Sequence, residues 1–274
     1  MNTVTSLTTR FLKYNHDRWE PAENGVISEA NVDLSVNGTF WVSLMCTPTQ
    51  LEELAVGFLF NEGIISSIDE VEIVRPCDGN CNIDVWLNRG VKEPTQWRRT
   101  SGCSGGVTRA DESLLPEPIP VVESIAPDRL ATLMDQLLES QELYREVRGV
   151  HCSILTDGAE VRAIAEDIGR HNTLDKIAGR VLIDRLPRNN WIVLTTGRIS
   201  SEMLQKSARL GAYLVVSRTS PSSLSIQMAR QLGITLVGYA RRRQFNVYSH
   251  PERLGGASEA ACSRVPAQPT AVLR

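Results

Sequence analysis

The sequence lacks the features that mark secreted, membrane-spanning and nucleic-acid-binding proteins. Its net charge is only -3 at pH 7, which indicates neither nucleic acid nor a membrane surface as a partner. No apolar run reaches the roughly 18 residues that are needed to span a bilayer. Residues 1–19 contain neither the apolar stretch nor the small-residue cleavage site of a secretory signal. We therefore expect a cytoplasmic protein.

Cysteine is also scarce, and the spacing of the cysteines excludes a fold that is held together by several disulfide bonds. The six cysteines form no paired framework, as expected for a protein of a reducing compartment. Hydrophobic residues make up 42% and charged residues 22% of the chain, values that are typical of globular proteins. With 274 residues and no internal repeat, the chain can form one large domain or two smaller ones.

The first part of the chain predicts a hairpin, a helix and two further strands. Residues 31–46 partly alternate in polarity around Asn37-Gly38, which is typical of a hairpin turn. The segment Thr47–Gln50 predicts a capping box with Pro48 at the first helical position, and Gly63 predicts the helix end. The expected buried face of the helix is Leu51, Leu54, Ala55, Phe58 and Leu59, and the later strands are expected at 71–75 and 82–88.

The second part predicts alternating helices and strands. Apolar residues recur at helical spacing from Leu130 to Leu138 and again from Leu174 to Leu182. Between these helices lies a hairpin with Asp157-Gly158 at its turn. The later elements are expected at strand 191–196, helix 199–210, strand 212–217, helix 221–232 and strand 234–239. This order favours an α/β layered sheet that is largely parallel after the first hairpin.

A connector rich in proline separates the two parts. Its prolines are Pro116, Pro118, Pro120 and Pro127, and they make residues 115–127 extended. We therefore predict a mixed α/β (α+β) chain in two parts. A smaller N-terminal α+β domain is expected at 25–125, an α/β domain at 126–254, and a mobile tail at 255–274.

Cys103 is the strongest candidate for chemistry. It lies in the segment Arg98–Gly106, where glycine and serine on both sides favour an exposed, flexible loop. The upstream arginines, Arg98 and Arg99, can lower the pKa of the thiol and so favour the nucleophilic thiolate. A glycine-rich turn that happens to contain a cysteine is the alternative that these residues alone leave open.

The other cysteines are weaker candidates. Cys77 and Cys81 flank a predicted turn between two strands. Because a zinc site needs about four ligands, a half-site or two free thiols is favoured over a metal site. Cys46 and Cys152 are expected in the core, and Cys262 is expected in the tail.

Two predicted strand-to-helix junctions are candidates for phosphate binding. One is Gly197–Ser200, which contains Arg198. The other is Arg218–Pro221, where Ser220 is the expected helix cap and Pro221 the first helical residue. Both follow the carboxyl ends of strands, where ligands bind in open α/β sheets, and both combine helix N–H groups, hydroxyls and an arginine. Ordinary capping of two helices is the alternative.

Two further segments carry charged groups at positions that suit a ligand. The run Tyr239, Ala240, Arg241, Arg242, Arg243 and Gln244 suits a diphosphate-bearing ligand with a stacking base, although adjacent arginines are also typical of a solvated loop. The segment Glu166–Asn172 precedes a helix. Within it, His171 can act in proton transfer or be structural, and Asp167 or Asn172 can be a cap or turn residue.

Several separated segments together resemble the FdhD/NarQ family, the formate dehydrogenase accessory sulfurtransferases. The set is specific because it keeps the family's order over about residues 25–254, although no single motif is decisive. The segments are Thr47–Ile65 (TPTQLEELAVGFLFNEGII), Arg98–Cys103 (RRTSGC), Gly149–His151, Glu166–Lys176 (EDIGRHNTLDK), Thr196–Lys206 (TGRISSEMLQK) and Leu236–Leu254 (LVGYARRRQFNVYSHPERL).

This resemblance implies a sulfur carrier that takes sulfur from a cysteine desulfurase. It implies that the sulfur passes to the molybdenum cofactor, bis-molybdopterin guanine dinucleotide, before insertion into formate dehydrogenase. Cys103 matches the first cysteine of the family's C-x-x-C loop, which carries the persulfide, whereas Gly106 occupies the second cysteine position. The segment Tyr239–Gln244 matches the cofactor-binding segment, and Arg198 and Ser220 would help to hold the nucleotide phosphates.

The resemblance also implies a homodimer without a permanently bound metal, and a C-terminal part similar in fold to cytidine deaminases. A zinc-dependent deaminase is one alternative, but it needs H-x-E and P-C-x-x-C. The segment His151-Cys152-Ser153 lacks the glutamate, and the chain contains no P-C-x-x-C. A chaperone that holds the cofactor or the apo-dehydrogenase without moving sulfur is the other alternative, which Gly106 favours.

Overall fold

The computed structural model describes residues 5–77, 79, 81–94, 97–99, 107–109, 118–119, 124–188 and 190–255. For 97–99 and 107–109 it describes only the pairing of the backbone. The predictions for Cys103, for Cys262 and for the tail after Gly255 lie outside the described residues. Within the described part, no helix is long and apolar enough to cross a membrane.

Within its described residues, the first part of the chain forms eight strands, one α-helix and one short 3-10 helix. The hairpin at 31–46, the helix after it and the strands near 71–75 and 82–88 are confirmed, whereas the first hairpin and the last short one were not predicted. The elements are β1 Ser6–Asn15, β2 Arg18–Ile27, β3 Ala30–Val36, β4 Thr39–Cys46, α1 Leu51–Asn61, the 3-10 helix Ile68–Glu70, β5 Val71–Pro76, β6 Asn82–Leu87, β7 Trp97–Arg99 and β8 Val107–Arg109.

The described residues of the second part keep the predicted alternation and add one α-helix, one strand and one 3-10 helix. The additions are α3, β14 and the 3-10 helix Pro251–Arg253. The elements are α2 Pro127–Glu139, α3 Glu142–Val147, β9 His151–Thr156, β10 Val161–Asp167, α4 Arg170–Ile183, β11 Trp191–Thr195, α5 Ser201–Arg209, β12 Ala212–Ser217, α6 Ser223–Gln231, β13 Thr235–Arg241, β14 Gln244–Ser249 and the 3-10 helix Pro251–Arg253.

Two larger sheets organise these elements. The four-stranded sheet has the order β4-β3-β6-β5, and the six-stranded sheet has the order β10-β9-β11-β12-β13-β14. In the latter, β11, β12 and β13 are parallel, as predicted. Strand β9 pairs antiparallel with β11, and strand β14 pairs antiparallel with β13. The mixed α/β class is therefore confirmed.

Two predicted helix starts are wrong. Helix α1 begins at Leu51, and its N-cap Gln50 makes no capping hydrogen bond. The expected capping box does not form because the Thr47 hydroxyl instead accepts a hydrogen bond from Ile168 N at 3.1 Å. Helix α6 begins at Ser223 and is capped by Ser222 rather than by Ser220, since the chain around Pro221 first bridges to Ile199.

Apolar side chains cover both faces of the six-stranded sheet. Helix α2 covers one face through Leu130, Leu133, Met134 and Leu137, which are buried against strand residues such as Ile154 and Leu194. Helices α4, α5 and α6 cover the other face. This second cluster continues through α1 into the four-stranded sheet, so a continuous core connects the two parts of the chain.

Helices α1 and α4 cross at two glycines. A Cβ atom built on Gly57 would lie 1.8 Å from Asp175 O, and one built on Gly179 would lie 1.9 Å from Glu53 O. Neither separation leaves room for a methyl group, so only glycine permits this backbone contact. The contact holds α4 against α1, and part of the candidate site lies at the N-terminal end of α4.

Candidate functional site

The predicted binding residues Arg198, Ser220 and Tyr239–Gln244 lie on one edge of the six-stranded sheet, at the carboxyl ends of β11, β12 and β13. Backbone hydrogen bonds connect the three chain segments that follow these strands. Arg218 N donates to Thr195 O at 3.1 Å, Ile199 N donates to Ser220 O at 3.2 Å, and Tyr239 N donates to Thr219 O at 2.9 Å. The two junctions and the arginine run are therefore neighbours, as expected for a ligand site in an open α/β sheet.

The junction after β11 leads into α5 through a capped turn. The Ser200 hydroxyl accepts a hydrogen bond from Met203 N at 3.4 Å, so Ser200 caps α5, whereas the helix was expected to begin at residue 199. Arg198 is exposed to solvent in this turn. At the next junction, Ser220 is partly buried, and the Ser217 hydroxyl donates to Gly197 O at 2.6 Å. These bonds hold the two junctions against each other.

The run Tyr239–Gln244 forms the end of the β13–β14 hairpin. Tyr239 is 47% exposed and has a positive φ of 53°. Arg241, Arg242 and Arg243 are also exposed, whereas Ala240 is 1% exposed. The three guanidinium groups are thus open to solvent beside an aromatic ring, an arrangement that can bind phosphate and stack on a base. Ala240 can contribute only through its backbone.

The segment Glu166–Lys176 forms the buried start of α4. Lys176 Nζ lies 2.6 Å from Asp167 Oδ2, and both side chains have no exposed surface. The second carboxylate oxygen of Asp167 accepts hydrogen bonds from Gly169 N at 2.7 Å and from Asn172 Nδ2 at 2.8 Å. Lys176 also donates to Thr47 O at 3.1 Å. Asp167 therefore accepts the local turn bond at the end of β10, Asn172 lies in the first turn of α4, and the motif joins the two parts of the chain.

A cluster of basic side chains lies beside this helix start, and we refer to His151, Arg170, His171 and Arg198 as the histidine–arginine cluster. Gly197 lies against it, because a Cβ atom built there would be 2.9 Å from Arg170 Cβ and 3.5 Å from His151 Nδ1. Burial lowers the pKa of His151, and the nearby charges of Arg170, His171 and Arg198 lower it further. His151 was not predicted as a site residue; its only signal was the matching segment Gly149–His151.

His171 lies almost entirely inside the protein. It is 4% exposed, and its Nε2 lies 3.3 Å from Ser200 Oγ and 3.6 Å from Glu202 Oε2. Burial lowers the pKa of His171, whereas the imidazole contact lowers the pKa of Glu202 to about 2. Within the described residues, His171 Nδ1 has no hydrogen-bond partner. Glu202 was also not predicted as a site residue.

The described cysteines differ sharply in their surroundings. Cys46 and Cys152 are buried, as predicted, and burial raises the pKa of Cys46 to about 12 and also raises the pKa of Cys152. Cys77 is partly buried, with its Sγ 3.5 Å from Asp84 Oδ2, and Cys81 is exposed. Among the described side chains, no group of three or more His, Cys, Asp or Glu residues is placed to hold a metal ion.

Cys103 itself lies outside the described residues, but the strands on either side of it are described. Trp97, Arg98 and Arg99 of β7 pair antiparallel with Arg109, Thr108 and Val107 of β8. This short two-stranded ribbon encloses residues 100–106 in the sequence. In the sequence, Cys103 therefore lies between β7, which contains Arg98 and Arg99, and β8.

Comparisons with known proteins agree over most of the chain. The sequence model of the FdhD/NarQ family matches residues 27–255. A protein from Bacillus licheniformis named sulfur carrier protein FdhD is 34% identical over 260 residues, which cover 92% of this chain and 98% of the relative. A protein of the same name from Staphylococcus haemolyticus is 31% identical over 249 residues, covering 89% and 94%.

A solved structure supports the same relationship. The crystal structure of a protein from Desulfotalea psychrophila, named as a formate dehydrogenase accessory protein, matches with a TM-score of 0.76 and 30% sequence identity. The match covers 91% of this chain and 99% of the solved chain. The likeness therefore extends over most of both chains.

Proposed function

The chain belongs to the FdhD/NarQ family, and from this premise we propose that it is a sulfurtransferase for formate dehydrogenase that carries sulfur as a persulfide on Cys103. The observation that carries the proposal is the family match over residues 27–255, which includes the segment RRTSGC. The names of the relatives, sulfur carrier protein and formate dehydrogenase accessory protein, support the general role.

The other cysteines offer less suitable nucleophiles. Sulfur transfer requires a thiolate that a large donor protein can reach. The raised pKa values of Cys46 and Cys152 keep these buried thiols protonated at neutral pH. Cys103 combines a loop of small residues with two arginines on the preceding strand, which favours the thiolate.

The first chemical step is thiolate exchange with a cysteine desulfurase. The Cys103 thiolate attacks the outer sulfur of the donor persulfide, R–S–SH, and forms Cys103–S–SH. The bond between the two donor sulfurs breaks, and its electron pair leaves with the donor as R–S⁻. Atoms and charge balance without an external oxidant, because the outer sulfur keeps its oxidation state.

The second step delivers the outer sulfur to the substrate, the molybdenum cofactor. The persulfide proton is released to solvent, the S–S bond breaks, the outer sulfur would become a sulfide ligand of molybdenum, and Cys103 returns to the thiolate. The outer sulfur gains two electrons in this step, and reduced molybdenum supplies them. Since Gly106 stands at the second position of the C-x-x-C loop, Cys103 performs both steps without a neighbouring loop thiol.

The carboxyl edge of the sheet is the proposed binding site for the cofactor, bis-molybdopterin guanine dinucleotide. Its diphosphates carry negative charge, and Arg198 and Arg241–Arg243 are exposed along this edge. Guanidinium groups bind phosphate through paired hydrogen bonds, and Tyr239 offers an exposed ring on which a guanine base can stack. Ser220 lies at the junction between these groups. A cytoplasmic homodimer is part of the same proposal.

A chaperone that binds the cofactor without moving sulfur is the competing function, and the absence of a second loop cysteine favours it. A maturation assay separates the two. Formate dehydrogenase is produced in cells without their own sulfur carrier, and its activity is measured after supplying the wild-type chain, Cys103→Ala or Cys81→Ala. We expect Cys103→Ala to give only the activity seen without a carrier, because the persulfide cannot form.

Cys81→Ala is the matched control, since Cys81 is exposed and lies on another hairpin. It should support full activity. Full activity with Cys103→Ala would instead establish the chaperone. A double variant, Arg241→Gln with Arg242→Gln, should lower maturation while still accepting sulfur, because its thiol is intact and only the contacts to cofactor phosphates are lost.

A further inference from the structure

Strand β13 contains an irregularity just before the arginine run. The register of the β13–β14 pair shifts between Gly238 and Arg241, which leaves Tyr239 and Ala240 together opposite one residue of β14, Phe245. Two residues opposite one define a β-bulge. The bulge therefore lies at the end of β13, on the carboxyl edge of the sheet that carries the candidate site.

The burial of neighbouring residues shows what the bulge does to Tyr239. Val237 and Ala240 both belong to the buried cluster that packs on α2, although residues three apart in a regular strand lie on opposite faces. In a regular strand, the residue at 239 would share the α2 face with Val237. The bulge gives that place to Ala240 and leaves the Tyr239 side chain 47% exposed.

The backbone of Tyr239 adopts a conformation that favours glycine. Its φ is 53°, in the left-handed region, which costs free energy for a residue with a bulky side chain. In one type of β-bulge, glycine occupies the residue in this conformation. Strained residues of this kind concentrate at binding and catalytic sites, where surrounding contacts hold them in place. The tyrosine is therefore better explained by binding than by the stability of the fold.

Two contacts with the junction after β12 hold the bulge. Tyr239 N donates to Thr219 O at 2.9 Å, so the bulged strand bonds to this junction instead of to β14. A Cβ atom built on Gly238 would lie 2.8 Å from Pro221 Cδ and 3.0 Å from Thr219 O. A side chain at residue 238 would therefore push β13 away from the junction, and the close approach requires glycine.

We propose that Gly238 is a positioning residue that sets the Tyr239 ring at the carboxyl edge before the ligand binds, so that the ring stacks on the purine base of a nucleoside diphosphate. Glycine at 238 lets β13 approach the junction, and the hydrogen bond from Tyr239 N then fixes the bulge. A ring that is already in place loses little conformational freedom on binding, which favours affinity. This inference rests on the proposed function, because it concerns the guanine nucleotide end of the cofactor.

Calorimetric titration of the full chain with guanosine diphosphate, and in parallel with inorganic pyrophosphate, tests the role of the ring. Both probes carry the charged groups, but only guanosine diphosphate carries the base. Tyr239→Gly should bind guanosine diphosphate about tenfold more weakly, as expected for the loss of one stacked base, and should bind pyrophosphate like the wild type. Tyr239→Phe keeps the ring and should bind both probes normally. An equal loss of affinity for both probes in Tyr239→Gly would refute the stacking.

A double-mutant cycle with Gly238→Ala tests the positioning role. Gly238→Ala should also weaken the binding of guanosine diphosphate about tenfold while leaving pyrophosphate binding unchanged, because the ring is displaced but present. The double variant Gly238→Ala with Tyr239→Gly should bind no more weakly than Tyr239→Gly alone. An additive loss of about a hundredfold in the double variant would show that Gly238 does not act through Tyr239. Gly90→Ala is the control, since a Cβ atom built on Gly90 meets nothing within 4 Å.

Urea unfolding tests the bulge independently, even if Gly238→Ala does not fold. Tyr239→Gly and Tyr239→Ala both lack the ring and differ only in the Cβ atom. Tyr239→Gly should unfold at the higher urea concentration, because only glycine adopts a positive φ without strain. In a regular strand alanine is the more stable of the two, so the opposite order would contradict the bulge.

The binding experiment also separates this inference from the sulfur-transfer proposal. Cys103→Ala should bind guanosine diphosphate like the wild type, because its arginine run and its Tyr239 ring are intact. A wild-type chain that binds neither probe would overturn this inference and the cofactor site at this edge, whereas sulfur uptake by Cys103 is measured without either probe.

Discussion

At the scale of single residues, buried charges define the start of α4. The pair Asp167–Lys176 has no exposed surface, and the pair Asp175–Lys206 is 5% exposed or less. Buried ion pairs are stable only when further hydrogen bonds satisfy both partners, and Asn61 Nδ2 supplies one to Asp175 at 2.7 Å. These contacts fix the orientation of α4 and with it the positions of Arg170 and His171.

The stability of the protein should fall in mild acid because His171 is buried in its neutral form. Its pKa in the folded state lies below the ordinary value of 6.5, so the unfolded chain binds more protons below that pH. The free energy of unfolding should therefore decrease as the pH falls from about 6.5 towards the folded-state pKa, by about 1.4 kcal/mol for each pH unit between the two pKa values. Urea unfolding at a series of pH values measures this slope.

His171→Gln is the informative variant in this experiment, and it should flatten the slope between pH 7 and 5. His151 contributes in the same direction and remains in the variant, so part of the slope should persist. Glu202 acts in a separate pH range. Because its pKa is lowered from 4.5 to about 2 in the folded state, it stabilises the fold above pH 4.5, and this stabilisation is lost as the pH falls from 4.5 towards 2. A slope that is unchanged by His171→Gln would contradict the buried neutral state.

Some of these residue roles could be predicted from the sequence, and others could not. A cap or turn role was predicted for Asp167 or Asn172. Asp167 does accept a hydrogen bond from Gly169 N, two residues further on, whereas Asn172 lies within α4 and donates to Asp167 and to Met45 O. The role of Thr47 depends on Ile168, which is distant in the sequence. The local pattern around Thr47 therefore predicted a capping box that does not form. His151 lacked any local motif, since its neighbours come from α4 and from the loop after β11.

At the scale of elements, the crossing of α1 and α4 is a contact that leaves no room for an added methyl group. A methyl group at Gly179 would lie 1.9 Å from Glu53 O, which is a backbone atom that cannot move without shifting α1. The higher helix propensity of alanine is worth only about 1 kcal/mol. The steric repulsion of the methyl group should therefore outweigh this gain in helix propensity.

Gly179→Ala should lower the free energy of unfolding by about 3 kcal/mol or more, at the upper end of the usual effect of overpacking. Gly90→Ala is the matched control, because a Cβ atom built there meets nothing within 4 Å. Denaturant unfolding of both variants beside the wild type measures the difference. Equal stability of the two alanine variants would show that the helices do not cross at these glycines.

Element prediction succeeded where apolar residues recur with a clear period. Helix α2 and strands β11–β13 have continuous buried faces, which is why their patterns were recognisable. The β1–β2 ribbon was missed because β1 has no buried residue, and its turn is formed by His16 and Asp17 with positive φ rather than by Asn-Gly. Strand β14 does alternate in polarity, but its segment was interpreted only as part of the ligand site.

At the scale of the whole molecule, the fold gathers segments that are far apart in sequence onto one edge of the six-stranded sheet. Arg198, Ser220 and Tyr239–Gln244 were predicted there, and backbone hydrogen bonds between their loops confirm that they are neighbours. The domain division near 115–127 stays a prediction, although one core cluster joins the two parts. Cys103, the thiol of the proposed mechanism, lies in the sequence between the two strands of the β7–β8 ribbon.

The central claim is that Cys103 accepts sulfur, and intact-mass spectrometry tests it most directly. The purified chain is incubated with a cysteine desulfurase and cysteine, and its mass is measured without reducing agent. The wild type and Cys81→Ala should gain one sulfur atom, which a reductant removes, because the thiolate forms a persulfide. Cys103→Ala should gain none. A wild-type chain that gains no sulfur, or a Cys103→Ala variant that gains as much as the wild type, would contradict the assignment.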